Sequence, residues 1–421
     1  MKLSTALAAC LLTNIGVDQV AAQESTRVGT IESAREIKAR QLQPDEVSPM
    51  ERRLRALRDQ KYLERITAGY NGFRAKIGNM VTGGGFGIGP EYFREDLFRG
   101  NLTSRASAQI STRGYQKYEA QATLPKLANG KITLDGLASY RNYSSLQYYG
   151  TGPDRPKDLR TNYRLEDTSI NGIAAYAPFR HIKIGGAAGY LWTNVGPGTD
   201  DRFASAERVF TPAQAPGIDH QTNFLRTGVF AQYDYRDNPL GMAKSGGNYV
   251  FQYSWFHDGK LEQFGFRRMD IDMQQFIPFF NKTHVIALRA KATLTDTDQN
   301  HQVPFYLQPV LGGSDDLRGY RFFRFSDRNS MVLNAEYRWE IFSGLDGAVF
   351  ADAGKVFPNR SMLNFHNLES SVGFGLRFNV QNATFLRIDT GFSHEGFQVW
   401  LKFNDVFLGR PFGTTAGQPV Y

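Results

Sequence analysis

Apolar and polar residues alternate one for one over long stretches of this chain. Met331, Leu333, Ala335, Tyr337, Trp339 and Ile341 fall on one side of an extended segment, and Val332, Asn334, Glu336, Arg338 and Glu340 on the other, because successive strand residues point to opposite faces. The same pattern recurs in Val372, Phe374, Leu376, Phe378 and Val380 against Ser371, Gly373, Gly375, Arg377 and Asn379. Ile286, Leu288, Ala290 and Ala292 stand in the same way against Arg289 and Lys291. Further strands are expected over 104–111, 131–142, 171–178, 182–192, 223–235 and 249–256, giving fifteen or sixteen from Lys76 onward. The last five begin near Met331, Leu345, Ser371, Thr384 and Phe397, and the final strand continues from Phe397 to Phe407. The first strand is expected to contain the run Gly83-Gly84-Gly85-Phe86-Gly87-Ile88-Gly89. A soluble sandwich would bury the apolar faces and wet the charged ones. Amphipathic segments of about ten residues separated by turns are instead the signature of a transmembrane β-barrel, and the expected fold is all-β: an antiparallel barrel of about sixteen strands.

Composition agrees with a barrel. The 421 residues include 42 Gly, 20 Tyr and 32 Phe, residues suited to pleated walls and interfacial girdles. Once the N-terminus is set aside, no run of about 18 apolar residues offers a membrane-spanning helix. Mean hydropathy is negative, as expected when lipid-facing and lumen-facing residues cancel along every strand. The net charge of +8 comes from Lys and Arg scattered along strands, which fits a polar lumen and rims against anionic lipid better than nucleic-acid binding.

The N-terminus has the form of an export signal over 1–22: Lys2, an apolar stretch, then Val20-Ala21-Ala22 ahead of Gln23. Leu7-Ala8-Ala9-Cys10 also matches a lipoprotein processing site, although Leu11-Leu12 continue the apolar stretch beyond it. Cys10 is the sole cysteine, so no disulfide framework is expected. The segment 23–75 carries one helical pattern over 49–66, with Met50, Leu54, Leu57 and Leu63 on one face and Arg52, Arg53, Arg55 and Arg58 on the others. It reads as a solvated periplasmic or lumen-docked helix, or as one lying on a membrane or partner. The barrel is expected over 76–408 and a C-terminal extension over 409–421.

One loop carries the most specific information. Gly312-Gly313-Ser314-Asp315-Asp316-Leu317-Arg318-Gly319-Tyr320 precedes strands bearing Ala335-Glu336 and Phe350-Ala351-Asp352-Ala353-Gly354. By alternation Glu336 and Asp352 project to the polar side. An arginine desolvated among them needs a carboxylate partner, whereas at an exposed hairpin tip Arg318 would pair locally with Asp315 or Asp316 for about 0 to 1 kcal/mol. This stretch resembles the loop that folds back into the barrel in the BamA/TamA superfamily of outer-membrane insertases and two-partner secretion transporters, the bacterial surface antigen family. The resemblance implies sixteen strands, a loop in the lumen, and a lock in which Arg318, with Gly319 and Tyr320, meets Glu336 and Asp352. It also implies a seam between first and last strands that opens sideways, with Gly83, Gly84, Gly85 and Phe403 as its candidates; simple bending of the sheet is the other reading of the glycines. Tyr148-Tyr149-Gly150-Thr151-Gly152-Pro153-Asp154 is similar to a loop of the barrel-only and patatin-linked relatives. No Gly-x-Ser-x-Gly elbow occurs, and the span 23–74, with no strand–helix alternation, leaves no room for a convincing polypeptide-transport-associated repeat, which points to the barrel-only branch.

Catalytic signals are sparse. His181, His220, His257, His284, His301, His366 and His394 are far apart, Asp296-x-Asp298-x-Asn300 lacks the rest of a calcium loop, and the glycine run lacks the spacing and strand–helix context of a dinucleotide site. No enzyme activity, metal or cofactor is expected. The resemblance implies an integral outer-membrane barrel that assists insertion or translocation of proteins, with outer-membrane lipids and unfolded outer-membrane proteins as partners and no nucleic acid. The alternative is a passive pore or structural barrel.

Overall fold

In the computed structural model the described residues are 70–407, apart from 79, 240, 381, 382, 404 and 405. The export signal, the 49–66 helix and the 409–421 extension lie outside them. Sixteen strands form one antiparallel sheet in which almost every strand pairs with its neighbour in sequence. They are β1 (Phe73–Gly78), β2 (Gly87–Asp96), β3 (Leu102–Ser111), β4 (Gln116–Lys126), β5 (Ile132–Tyr148), β6 (Thr161–Phe179), β7 (Ile182–Pro197), β8 (Thr222–Asp234), β9 (Gly246–Asp258), β10 (Phe266–Phe279) and β11 (His284–Thr297). After the long connection come β14 (Asn329–Phe342), β15 (Leu345–Phe357), β16 (Glu369–Val380), β17 (Ala383–Ser393) and β18 (Gly396–Lys402). The connection holds a separate two-stranded ribbon, β12 (Val310–Leu311) with β13 (Phe325–Ser326), so that β11 pairs directly with β14.

The sheet turns its apolar face outward. Tyr337, Ile341, Val349, Val372, Phe374, Val399 and Leu401 are exposed, while Glu336, Asp352, Arg377, Arg387 and Asp389 are buried. That inversion is incompatible with a soluble sandwich and is what lipid on the outside requires. Outer-wall aromatics cluster near the short-turn end: Tyr337 and Trp339 stack at 5.9 Å, Tyr233 and Tyr249 at 6.3 Å. Such a belt belongs at the bilayer interface.

Three boundaries differ from the alternation reading. The glycine run is not inside the first strand: β1 ends at Gly78, and Gly83, Gly84 and Gly85 form the turn into β2. Gly83 and Gly85 have φ of +77° and +79°, left-handed values that glycine adopts without steric cost. β6 extends far above 171–178 because its upper part inverts the pattern: Tyr163 and Leu165 are buried against Phe305 and its neighbours in an apolar cluster under the long loops, while Arg164 and Glu166 lie between them on the other face. The last strand stops at Lys402 instead of running to Phe407. Val406 and Phe407 turn inward and bury against Ala243, Phe276, Val285 and Ala287. Arg236 and Arg289 donate to the Phe407 and Val406 carbonyls, each at 3.4 Å.

Candidate functional site: the lumenal loop and the seam

The loop between β12 and β13 is shaped by its own backbone before it meets the wall. Gly312 and Gly313 have φ of +104° and +120°, and Asp316 Oδ1 accepts from the Gly312 and Leu317 amides at 3.0 and 2.7 Å. This turn projects Arg318, fully buried, at β14 and β15. Its Nε and Nη2 donate to the two oxygens of Asp352 at 2.9 and 2.8 Å, a bidentate geometry that uses the planar fork of guanidinium. Nη1 donates to Glu336 at 2.5 Å, and the guanidinium lies 3.4 Å from the ring centroid of Phe350. The Arg318 amide also donates to Asp352, at 3.1 Å.

Gly319 permits this approach. A Cβ there would stand 2.6 Å from Ser371 Cβ and 2.7 Å from the Phe392 carbonyl oxygen, and one on Gly391 would stand 2.4 Å from the Arg318 oxygen. The Arg318 carbonyl accepts from Trp400 Nε1 at 2.8 Å, and Gly319 O accepts from Ser393 Oγ at 2.9 Å. Tyr320, also buried, donates its hydroxyl to Glu369 at 2.7 Å. Arg318, Gly319, Tyr320, Glu336 and Asp352 are thus brought together.

Several participants carried no motif. Glu336 accepts from Arg338 at 2.8 Å and pairs with Arg377 at 3.0 Å. Arg377 reaches Asp389 at 2.5 Å, Asp389 lies 3.4 Å from Arg387, and Arg387 pairs with Asp315 at 3.0 Å. Cations and carboxylates alternate along this chain, so each buried charge has an opposite neighbour, as desolvation demands. Inward alternation on β17, which places Arg387, Asp389 and Gly391 on one face, is the signal that marks these residues. Asp315 pairs with Arg387 and Lys402, not with Arg318. Burial would raise its pKa, but Lys402 and Arg387 outweigh that and hold it below the usual carboxylate range. For Asp316 burial outweighs the Leu317 and Gly312 amides and the charge of Lys291, and pushes its pKa up to about 6.

Among the described residues no backbone ladder joins β1 to β18. The two edges nevertheless meet: a Cβ on Gly78 would stand 3.7 Å from that of Phe403, and the Phe403 ring is 5.5 Å from Phe86. Of the seam candidates, Phe403 lies at this junction. Gly83 packs on Phe322 of the loop, Gly84 on Val81 and Tyr115, and Gly85 on Thr112. Among the described residues no group of three or more His, Cys, Asp or Glu is arranged to hold a metal. Asp296 and Asp298 are instead occupied by Arg267, at 3.4 and 2.7 Å.

The sequence that folds into this barrel matches a family model. The Omp85 superfamily domain covers residues 97–397. This chain belongs to the Omp85 superfamily. Solved Omp85-type barrels share its fold at low identity. BamA from Haemophilus ducreyi lacking POTRA domains 1–3 aligns with a TM-score of 0.58 at 12% identity, over 79% of this chain and 69% of that one. CdiB from Escherichia coli aligns with a TM-score of 0.54 at 14% identity, over 79% of this chain and 62% of that one. No curated protein sequence matches significantly. The protein is an Omp85 barrel of the outer membrane. In barrels of this kind short turns face the periplasm and long loops the exterior.

Proposed function

We propose that this Omp85 barrel assists the insertion or translocation of unfolded proteins at the outer membrane, with the Arg318 loop locked in its lumen to hold the working conformation. The observation that carries this reading is the seam, where two sheet edges face each other with no ladder between them among the described residues. An edge strand presents a row of free N–H and C=O groups that templates an added strand, and a client barrel is built of such strands. A passive pore is the competing reading; the loop and the inward Val406–Phe407 segment, which both occupy the lumen, count against it.

The test is insertion of a urea-unfolded outer-membrane barrel into liposomes containing this protein or its Arg318→Ala form, with ion conductance recorded on the same liposomes. Acceleration by the wild type that is lost in the variant supports the proposal. No acceleration by either form, together with conductance by the wild type, replaces it with the pore.

A further inference from the structure

We propose that Asp315 is a clasp that closes the seam from inside the barrel, so that the position of the loop tip controls whether the first and last strands stay together. Its carboxylate accepts from Thr82 Oγ1 in the β1–β2 turn at 3.1 Å and pairs with Lys402 at the end of β18 at 3.3 Å. Lys402 Nζ also donates to Thr82 Oγ1 at 3.3 Å. The triangle therefore spans the two sides of a junction that lacks a ladder, and Thr82 and Lys402 are both buried. Arg387, at 3.0 Å, and the Arg289 guanidinium, 3.5 Å from the Asp315 carbonyl, hold the clasp to the wall.

The fit around it is backbone-tight. A Cβ on Gly313 would stand 2.6 Å from Thr82 Cγ2, and one on Gly83 would stand 2.5 Å from the Phe322 ring. Loop and first hairpin thus interlock through glycine on each side. β18 is tied to the same loop a second time by Trp400 on the Arg318 carbonyl. Withdrawing the loop removes the Asp315 bridge, whereas among the described residues the Arg318 guanidinium pairs with carboxylates of β14, β15 and β17. The two residues have separate tasks: Arg318 holds the loop to the wall, and Asp315 makes the held loop close the seam. The clasp is a property of the barrel itself; its bearing on clients rests on the insertion reading.

The experiment introduces Phe86→Cys and Phe403→Cys, whose rings now touch across the junction, with Cys10→Ser in the full chain. Dibromobimane, which fluoresces on bridging two adjacent thiols, reads how often the seam is closed, with no client present. Asp315→Asn should slow bridging by on the order of tenfold, equivalent to about 1.4 kcal/mol, and Asp315→Glu should restore much of it. Bridging by Asp315→Asn at the wild-type rate overturns the proposal. Should Asp315→Asn fail to fold, Thr82→Val removes the hydroxyl shared by Asp315 and Lys402, and an unchanged rate there overturns it equally. Slower bridging with unaltered client insertion keeps the clasp and removes the insertion reading from the seam; unaltered bridging removes the clasp whatever the insertion assay returns.

Discussion

Replacing Arg318 by alanine strips the lumenal network of the only guanidinium that reaches Asp352 in the described structure. Glu336 keeps Arg338 and Arg377, but Asp352 is left with neutral donors: Asn334 at 2.8 Å, Ser371 at 3.4 Å and the loop amide. Breaking one side of a buried ion pair costs about 3–5 kcal/mol, and loss of the contact with Phe350 adds about 0.5–2 kcal/mol. Even about 4 kcal/mol changes the ratio of docked to released loop by nearly a thousandfold. Limited trypsin digestion reads this directly, because Arg324, 5% exposed in the docked loop, becomes a cleavage site on release. Asp352→Asn in the same background removes the orphaned charge, so the double variant should lose about 2–3 kcal/mol less than the sum of the singles. Additive losses within about 0.5 kcal/mol, or unchanged trypsin protection in Arg318→Ala, would refute the argument.

Gly319→Ala and Gly391→Ala each force a Cβ into backbone of the opposing segment and should weaken loop docking by about 1–3 kcal/mol; wild-type trypsin protection in both would show that the close approach is not needed. Asp316 is raised to about 6 in the folded loop, so that state holds its proton more tightly than the unfolded chain. Stability should therefore be highest below about pH 4, fall as pH rises, and carry the full penalty above pH 6. Asp316→Asn keeps an oxygen acceptor for Gly312 and Leu317, and the wild-type minus variant difference in melting should show that slope; a flat difference contradicts the burial argument. Phe407→Ala removes a ring packed 5.5 Å from Phe276 and 5.0 Å from the Arg338 guanidinium. It should cost up to about 3 kcal/mol of tail docking and speed carboxypeptidase trimming past position 407; equal trimming would show that the tail is held elsewhere.

The wall was legible because lipid and lumen impose a strict period of two on each strand. Parity alone assigns Glu336, Arg377 and Asp352 to the inner face, and the five strands after the loop begin within a few positions of where alternation put them. Legibility failed where that constraint lapses. Above the bilayer β6 inverts its phase, so Tyr163 and Leu165 gave no membrane-strand signal. Glycines in a run satisfy either face, and nothing in the alternation distinguishes a weak strand from a turn that needs positive φ at Gly83 and Gly85. The apolar Val406 and Phe407 extend a strand pattern equally well whether they meet lipid or fill a lumenal pocket. Asp389 and Arg387 were within reach of parity alone, but their pairing with Arg377 and Asp315 depends on depth in the barrel, which parity does not report.

The clasp also orders the folding of the barrel. Nearly every ladder joins sequence neighbours, and the exception, β11 with β14, spans a single loop, so the wall can zip up hairpin by hairpin with little entropy spent on each step. Thr82 and Lys402 are 320 positions apart. Bringing such distant points of a free chain together costs about 5 kcal/mol, a sum that a few side-chain hydrogen bonds barely offset. On the proposed clasp, sealing is the final event of folding and the first to be undone, and a complete wall would pass between sealed and unsealed states without unfolding any strand.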